Sequence, residues 1–125
     1  MTHSNIEYFA LKFVIMKLSD VDPEKLEELV KLPGFSIVSN QILVDGLPIL
    51  FMYRESPIEE EDSGWRFLSG QEDQDYLDEV ENSRFIGLNT MANMDKMIIP
   101  HLNLKKGTEL ERKKAGDKFV ELLED

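Results

Sequence analysis

Between Glu55 and Glu81 stand eleven carboxylates, Glu55, Glu59, Glu60, Glu61, Asp62, Glu72, Asp73, Asp75, Asp78, Glu79 and Glu81, against one cation, Arg66. Carboxylates at that density invite three chemistries. They could ligate a hard cation, work in pairs as acid and base, or present a field that selects a basic partner. A calcium loop needs oxygens at alternating positions, a glycine bend and a distal glutamate. Asp73-Gln74-Asp75-Tyr76-Leu77-Asp78 offers the first two ligands, but Leu77 takes the next ligand position and Asp78 the glycine position. No EF-hand is written here, although a cation site built from both acidic loops stays open. Glycoside chemistry needs a cleft and a set carboxylate separation, and a sequence fixes neither. The plainer reading is that these are solvated loop acids that aid solubility.

Other chemistries find less support. His3 and His101 have no HExxH and no second ligand at helical spacing, and cysteine is absent, so no zinc spacing is present. His3 sits near a terminus, and His101 reads as a surface or capping residue. Ser63 and Ser69 lie outside any G-x-S-x-G elbow. The glycines occur as SGW and SGQ, which cradle no phosphate. The 125 residues carry 25 acids and 14 bases, a net charge of −11. That charge repels nucleic acid and anionic lipid surfaces. Lys12 and Lys17 interrupt the apolar run from Tyr8 to Leu18, which is too short and too charged to span a membrane. The absence of cysteine excludes a disulfide framework and agrees with a cytoplasmic setting.

These residues need elements to position them. Tyr8–Leu18 reads as a buried strand, with a helix as the alternative. Asp22-Pro23-Glu24 predicts a helix start, Leu26, Leu29 and Val30 its buried stripe, and Pro33-Gly34 its end. Phe35–Leu43 and Leu47–Arg54 read as strands joined by an Asp45-Gly46 hairpin turn, with Pro48 near the start of the return strand. Glu55–Ser63 is a charged loop, Gly64–Leu68 a short strand, and Ser69–Asn82 a second acidic loop with room for a helical turn. Ser83–Leu88 is apolar enough for a strand. Asn89 is placed to cap a short helix through Met91, Met94 and Ile98, ended by Pro100. Met91, Met94 and Met97 read as core filling there. Thr108–Arg112 and Lys118–Leu122 close a hairpin around Ala115-Gly116.

On the Gly64–Leu68 strand, Trp65 and Phe67 share one face while Arg66 and Leu68 share the other. Core packing accounts for both aromatics; Trp65 is also a candidate anchor for a partner. Arg66, alone among the acids, is expected within hydrogen-bonding reach of a carboxylate from Glu55–Asp62 or Glu72–Glu81. Arg54 reads the same way, as a two-point carboxylate contact that shapes the loop.

The strings Met52-Tyr53-Arg54-Glu55 and Glu61-Asp62-Ser63-Gly64-Trp65-Arg66-Phe67, followed by Ser69-Gly70 and Tyr76, resemble the Imm33-like family, also called DUF2185. Leu88-Asn89-Thr90, Ile98-Ile99-Pro100-His101-Leu102 and Gly107 to Val120 extend the likeness over Phe35 to Leu122. Residues before Pro33 carry little of it. The resemblance implies an immunity protein of bacterial polymorphic toxin systems, with Tyr53, Arg54, Ser63, Gly64, Arg66 and Gly70 as motif residues. It implies no catalytic residue and no cofactor.

The expectation is therefore an α+β domain with a mostly antiparallel sheet of five to six strands and two short helices. Residues 1–34 form an N-terminal strand and helix packed on a 35–123 core. The expected function is a non-enzymatic, cytoplasmic, acidic protein that neutralises a basic toxin. Its contact residues are Glu59, Glu60, Glu61, Asp62, Trp65, Glu72, Asp73, Asp75 and Asp78; no metal, cofactor, nucleic acid or membrane is involved. Two rivals are a regulatory domain without a toxin and a carboxylate- or cation-dependent hydrolase.

Overall fold

The computed structural model describes residues 17–123. His3 and the Tyr8–Leu18 strand expectation, up to Met16, lie outside them. Six strands form one sheet: β1 (Phe35–Ser39), β2 (Phe51–Arg54), β3 (Asp62–Leu68), β4 (Ser83–Gly87), β5 (Glu109–Glu111) and β6 (Val120–Glu121). Their order across the sheet is β4-β1-β3-β2-β5-β6. Among the described residues only β1 and β3 run parallel; the other pairings are antiparallel. Three short α-helices, α1 (Asn40–Leu43), α2 (Gln74–Asp78) and α3 (Leu88–Met94), accompany the sheet among the described residues. The fold is α+β with a mostly antiparallel sheet.

Period-two alternation explains the central strands. Ser36 and Val38 of β1, Met52 of β2, Trp65 and Phe67 of β3 and Leu110 of β5 point to one face and are buried. From α3, Leu88, Met91, Ala92 and Met94 join them, and Ile98 and Leu102 follow from the 3-10 segment Lys96–His101 and its exit. Met97 packs against this cluster from its rim. The Thr108–Arg112 and Lys118–Leu122 hairpin is present as β5 and β6.

Two local expectations are corrected. Phe35–Leu43 is not one strand, and Asp45-Gly46 makes no hairpin. Ser39 accepts a hydrogen bond from Gln41 N–H at 3.1 Å and starts α1, which buries Ile42 and Leu43. Gly46, at φ +76°, lets the chain leave that helix. β1 therefore pairs with β3 and β4, while β2 pairs with β3 and β5. Pro48 precedes the β2 ladder, which starts at Phe51.

The helix expected from Asp22 stops after one 3-10 turn, Pro23–Lys25. Asp22 does cap it, accepting from Glu24 N–H at 3.0 Å. Beyond it, Asn89 accepts from the N–H groups of Leu29 (2.8 Å) and Val30 (3.0 Å), and Asn93 from Glu27 N–H at 3.1 Å. Both amides return a bond to the Glu27 carbonyl. Side chains of α3 thus satisfy backbone that a helix would have paired with itself. Asn89 consequently caps nothing; Gly87 precedes α3 with no side-chain cap.

Candidate functional site

The Glu55–Glu61 loop joins β2 to β3, and its shape rests on Arg66. Arg66 donates to both oxygens of Asp62, Nη1 to Oδ1 at 2.9 Å and Nη2 to Oδ2 at 2.7 Å. Its Nε donates to Glu55 Oε2 at 2.6 Å and its Nη1 also to the Trp65 carbonyl at 3.1 Å. The carboxylate contact expected for Arg66 is present, and it reaches the first acidic loop alone. Asp62 further accepts from the N–H groups of Ile58 (2.9 Å) and Gly64 (2.8 Å). Burial pushes the Asp62 carboxyl up, but the Arg66 guanidinium and those two N–H donors outweigh it and hold it at about 2. Gly64 sits at φ +87°, and a Cβ there would run into the Glu55 carbonyl. Glu55 N–H donates to Gly64 O at 2.9 Å, so the loop closes directly over that glycine.

Asp62 and Trp65, expected among the contact residues, are both buried. Asp62 is 5% exposed, and its two oxygens already accept four hydrogen bonds. Trp65 is fully buried, stacks near Phe67 and donates Nε1–H to Leu102 O at 3.0 Å. Strand β3 begins at Asp62 rather than Gly64, which draws Asp62 into the sheet beside Trp65. Arg54 is also corrected. It donates to the carbonyls of Ser63 (3.0 Å) and Leu104 (2.8 Å), not to a carboxylate, and lies 5.8 Å from the Trp65 ring centroid.

What remains on the loop surface is Glu59, Glu60 and Glu61, all exposed. The second loop runs from Ser69 to Asn82 and carries α2. Glu72 is half-buried and accepts from Ser69 N–H (2.9 Å) and Gly70 N–H (3.0 Å). Burial raises its pKa, but bonds from Ser39 and Ser69 outweigh burial and lower it. Asp73 caps α2 by accepting from Tyr76 N–H at 2.8 Å. Asp73, Asp75 and Asp78 are exposed.

The two loops do not meet. One enters β3 and the other leaves it, so the seven residues of that strand separate them by roughly 20 Å. A cation site assembled from both loops is therefore ruled out by topology. Among the described residues, no three His, Asp or Glu side chains are grouped to hold a metal ion. Among the described residues, a hollow of about 400 Å³ lies beside Leu68–Glu72 and Glu111. Glu72 and Arg112 on its wall are already engaged.

Sequence reasoning missed a second ion pair. Asp95 and Arg112 meet in the interior, with Arg112 also donating to Ile49 O at 2.8 Å and lying over the Phe119 ring at 4.2 Å. Asp95 caps the Lys96–His101 segment through Met97 N–H. His101 is half-buried against the edge of Phe119 rather than free at the surface, and burial lowers its pKa. Among the described residues no helix is long and apolar enough to cross a membrane.

A family model described as the Immunity protein Imm33 domain matches residues 36–123, more than half of the chain. No curated protein and no solved structure matches it.

Proposed function

The chain belongs to the Imm33 immunity-protein family, and from that membership we propose that it neutralises a cognate bacterial toxin by binding it, without catalysis. The observation that carries this reading is an acidic loop held in a fixed shape. Buried Arg66 and Asp62 fasten its base, and the Glu61 carbonyl accepts from Phe35 N–H at 2.9 Å. The side chains of Glu59, Glu60 and Glu61 are left for a partner. Preorganised charge of one sign steers an oppositely charged partner and discourages others. Glu72, Asp73, Asp75 and Asp78 add a second acidic surface at the far end of β3. The partner is a basic protein, met in the cytoplasm, and no metal or cofactor takes part.

Glu72, on the hollow beside Leu68, is held by the N–H groups of Ser69 and Gly70, a structural role that supports binding without catalysis. The test is to co-express the chain with the protein encoded beside its gene. Growth arrest by that protein, relieved by this chain and accompanied by a purified one-to-one complex, is the expected result. A neighbouring product that neither arrests growth nor binds would favour an interaction domain with no toxin.

A further inference from the structure

Among the described residues, the buried cluster takes its sheet residues from one face only. The alternate residues form the opposite face: Phe35 and Ile37 on β1, Phe51 and Tyr53 on β2, Leu68 on β3 and Phe85 on β4. Cross-strand pairing sets them side by side, with Ile37 opposite Phe85, Phe51 opposite Leu68, and Tyr53 opposite Arg66. Phe85 is 62% exposed and lies 4.7 Å from Phe35, ring to ring; the other five are half-buried. Carboxylates rim this apolar strip. Glu109 and Glu111 of β5, both exposed, stand opposite Tyr53 and Phe51. Glu55 is half-exposed above Arg66, which Asp62 already neutralises. Among the described residues, four acids and one cation therefore occupy the face, and the two acidic loops bracket it at opposite ends of β3.

We propose that this face receives the toxin, and that the toxin presents to it a basic surface with apolar side chains at its centre. The proposal rests on the immunity reading above and names the part of the molecule that carries it. Aromatic and aliphatic side chains in the middle of a contact supply affinity once desolvated, and charges on the rim steer and select. The same rim argues against a second copy of this chain as occupant, since two such faces would set carboxylates against carboxylates. It also repels nucleic acid and anionic lipid.

The test titrates the purified, inactivated product of the neighbouring gene against the full chain and its variants. Phe85→Glu and the double variant Glu109→Lys/Glu111→Lys should each weaken binding by about tenfold or more. Lys96→Gln, on the helix side of the sheet, should leave binding unchanged. Thermal melts check folding, and if Phe85→Glu does not fold the double variant decides alone. Parent-like binding by both face variants, alongside weakened binding by a Glu59→Gln/Glu60→Gln/Glu61→Gln variant, would overturn the face and leave the immunity reading intact. Failure of the parent chain to bind overturns both. A free parent dimer that Phe85→Glu dissociates would assign the face to a second copy and overturn the proposal.

Discussion

Arg66 meets two carboxylates in different surroundings, and they should respond differently to mutation. Asp62 is buried and gripped at both oxygens, whereas the Glu55 side chain is 50% exposed. Arg66→Ala leaves Asp62 charged and unpaired inside the protein, which should cost about 3–5 kcal/mol in urea unfolding. Arg66→Lys should recover only part of that, because one ammonium cannot match a planar two-point contact. Glu55→Gln should cost no more than about 1 kcal/mol. An Arg66→Ala cost as small as that of Glu55→Gln would mean that the ion cluster does not hold the loop. The same site predicts a pH response. The Asp62 carboxyl lies at about 2 in the folded protein against 3.8 ordinarily, so the unfolded chain binds its proton more tightly. Its contribution to stability is then whole above about pH 4 and is lost as pH falls from there toward 2, on the order of 2 kcal/mol. Unfolding curves of the parent and Asp62→Asn should converge across that window; a gap independent of pH would refute the assignment.

Among the elements, Asn89 does work that its sequence position does not announce. It accepts from two N–H groups of the segment Leu29–Val30, and Asn89→Ala should leave both without a partner. Faster amide exchange at Leu29 and Val30, with the β1 and β3 amides unchanged, is the expected result. Equal exchange in parent and variant would show that packing alone holds this segment. The same contact explains what was legible in the sequence and what was not. Short apolar runs between turn residues mark β1, β3, β4 and the β5–β6 hairpin because they are a local signal, and the motif around Gly64 and Trp65 places most of the chain in its family. Partner choice between strands is not local. Asp45-Gly46 serves a helix exit as well as a hairpin, and Ser39 with Asn40 was the overlooked helix start. The stripe of Leu26, Leu29 and Val30 was genuine, since Leu29 and Val30 do pack on the core, yet distant asparagines drew its backbone out of a helix. At the site, Arg66 stood out as one cation among acids. Asp95 and Arg112 carried no such contrast, and only the fold joins them.

On the scale of the whole molecule, the strand order splits one acidic band into two poles. Residues that look contiguous between Glu55 and Glu81 are divided by β3, and the roughly 20 Å between the loops exceeds twice the screening length of about 8 Å at physiological salt. Each pole should therefore steer a partner on its own. Replacing Glu59, Glu60 and Glu61 by glutamine should slow association with the proposed partner and reduce its salt sensitivity, with little change in dissociation. Replacing Asp73, Asp75 and Asp78 by asparagine should do the same at the other end, and asparagine at position 73 preserves the cap on α2. Folding should hardly change in either case, because these side chains are exposed. With both sets replaced, the logarithms of the two rate effects should add at physiological ionic strength, since neither pole feels the other through the solvent. Stopped-flow association of the parent, the two variants and their combination measures this directly. A combined effect well short of the sum would mean that the partner meets both loops with one patch of charge, and association rates equal to the parent's at low salt would remove both loops from the encounter.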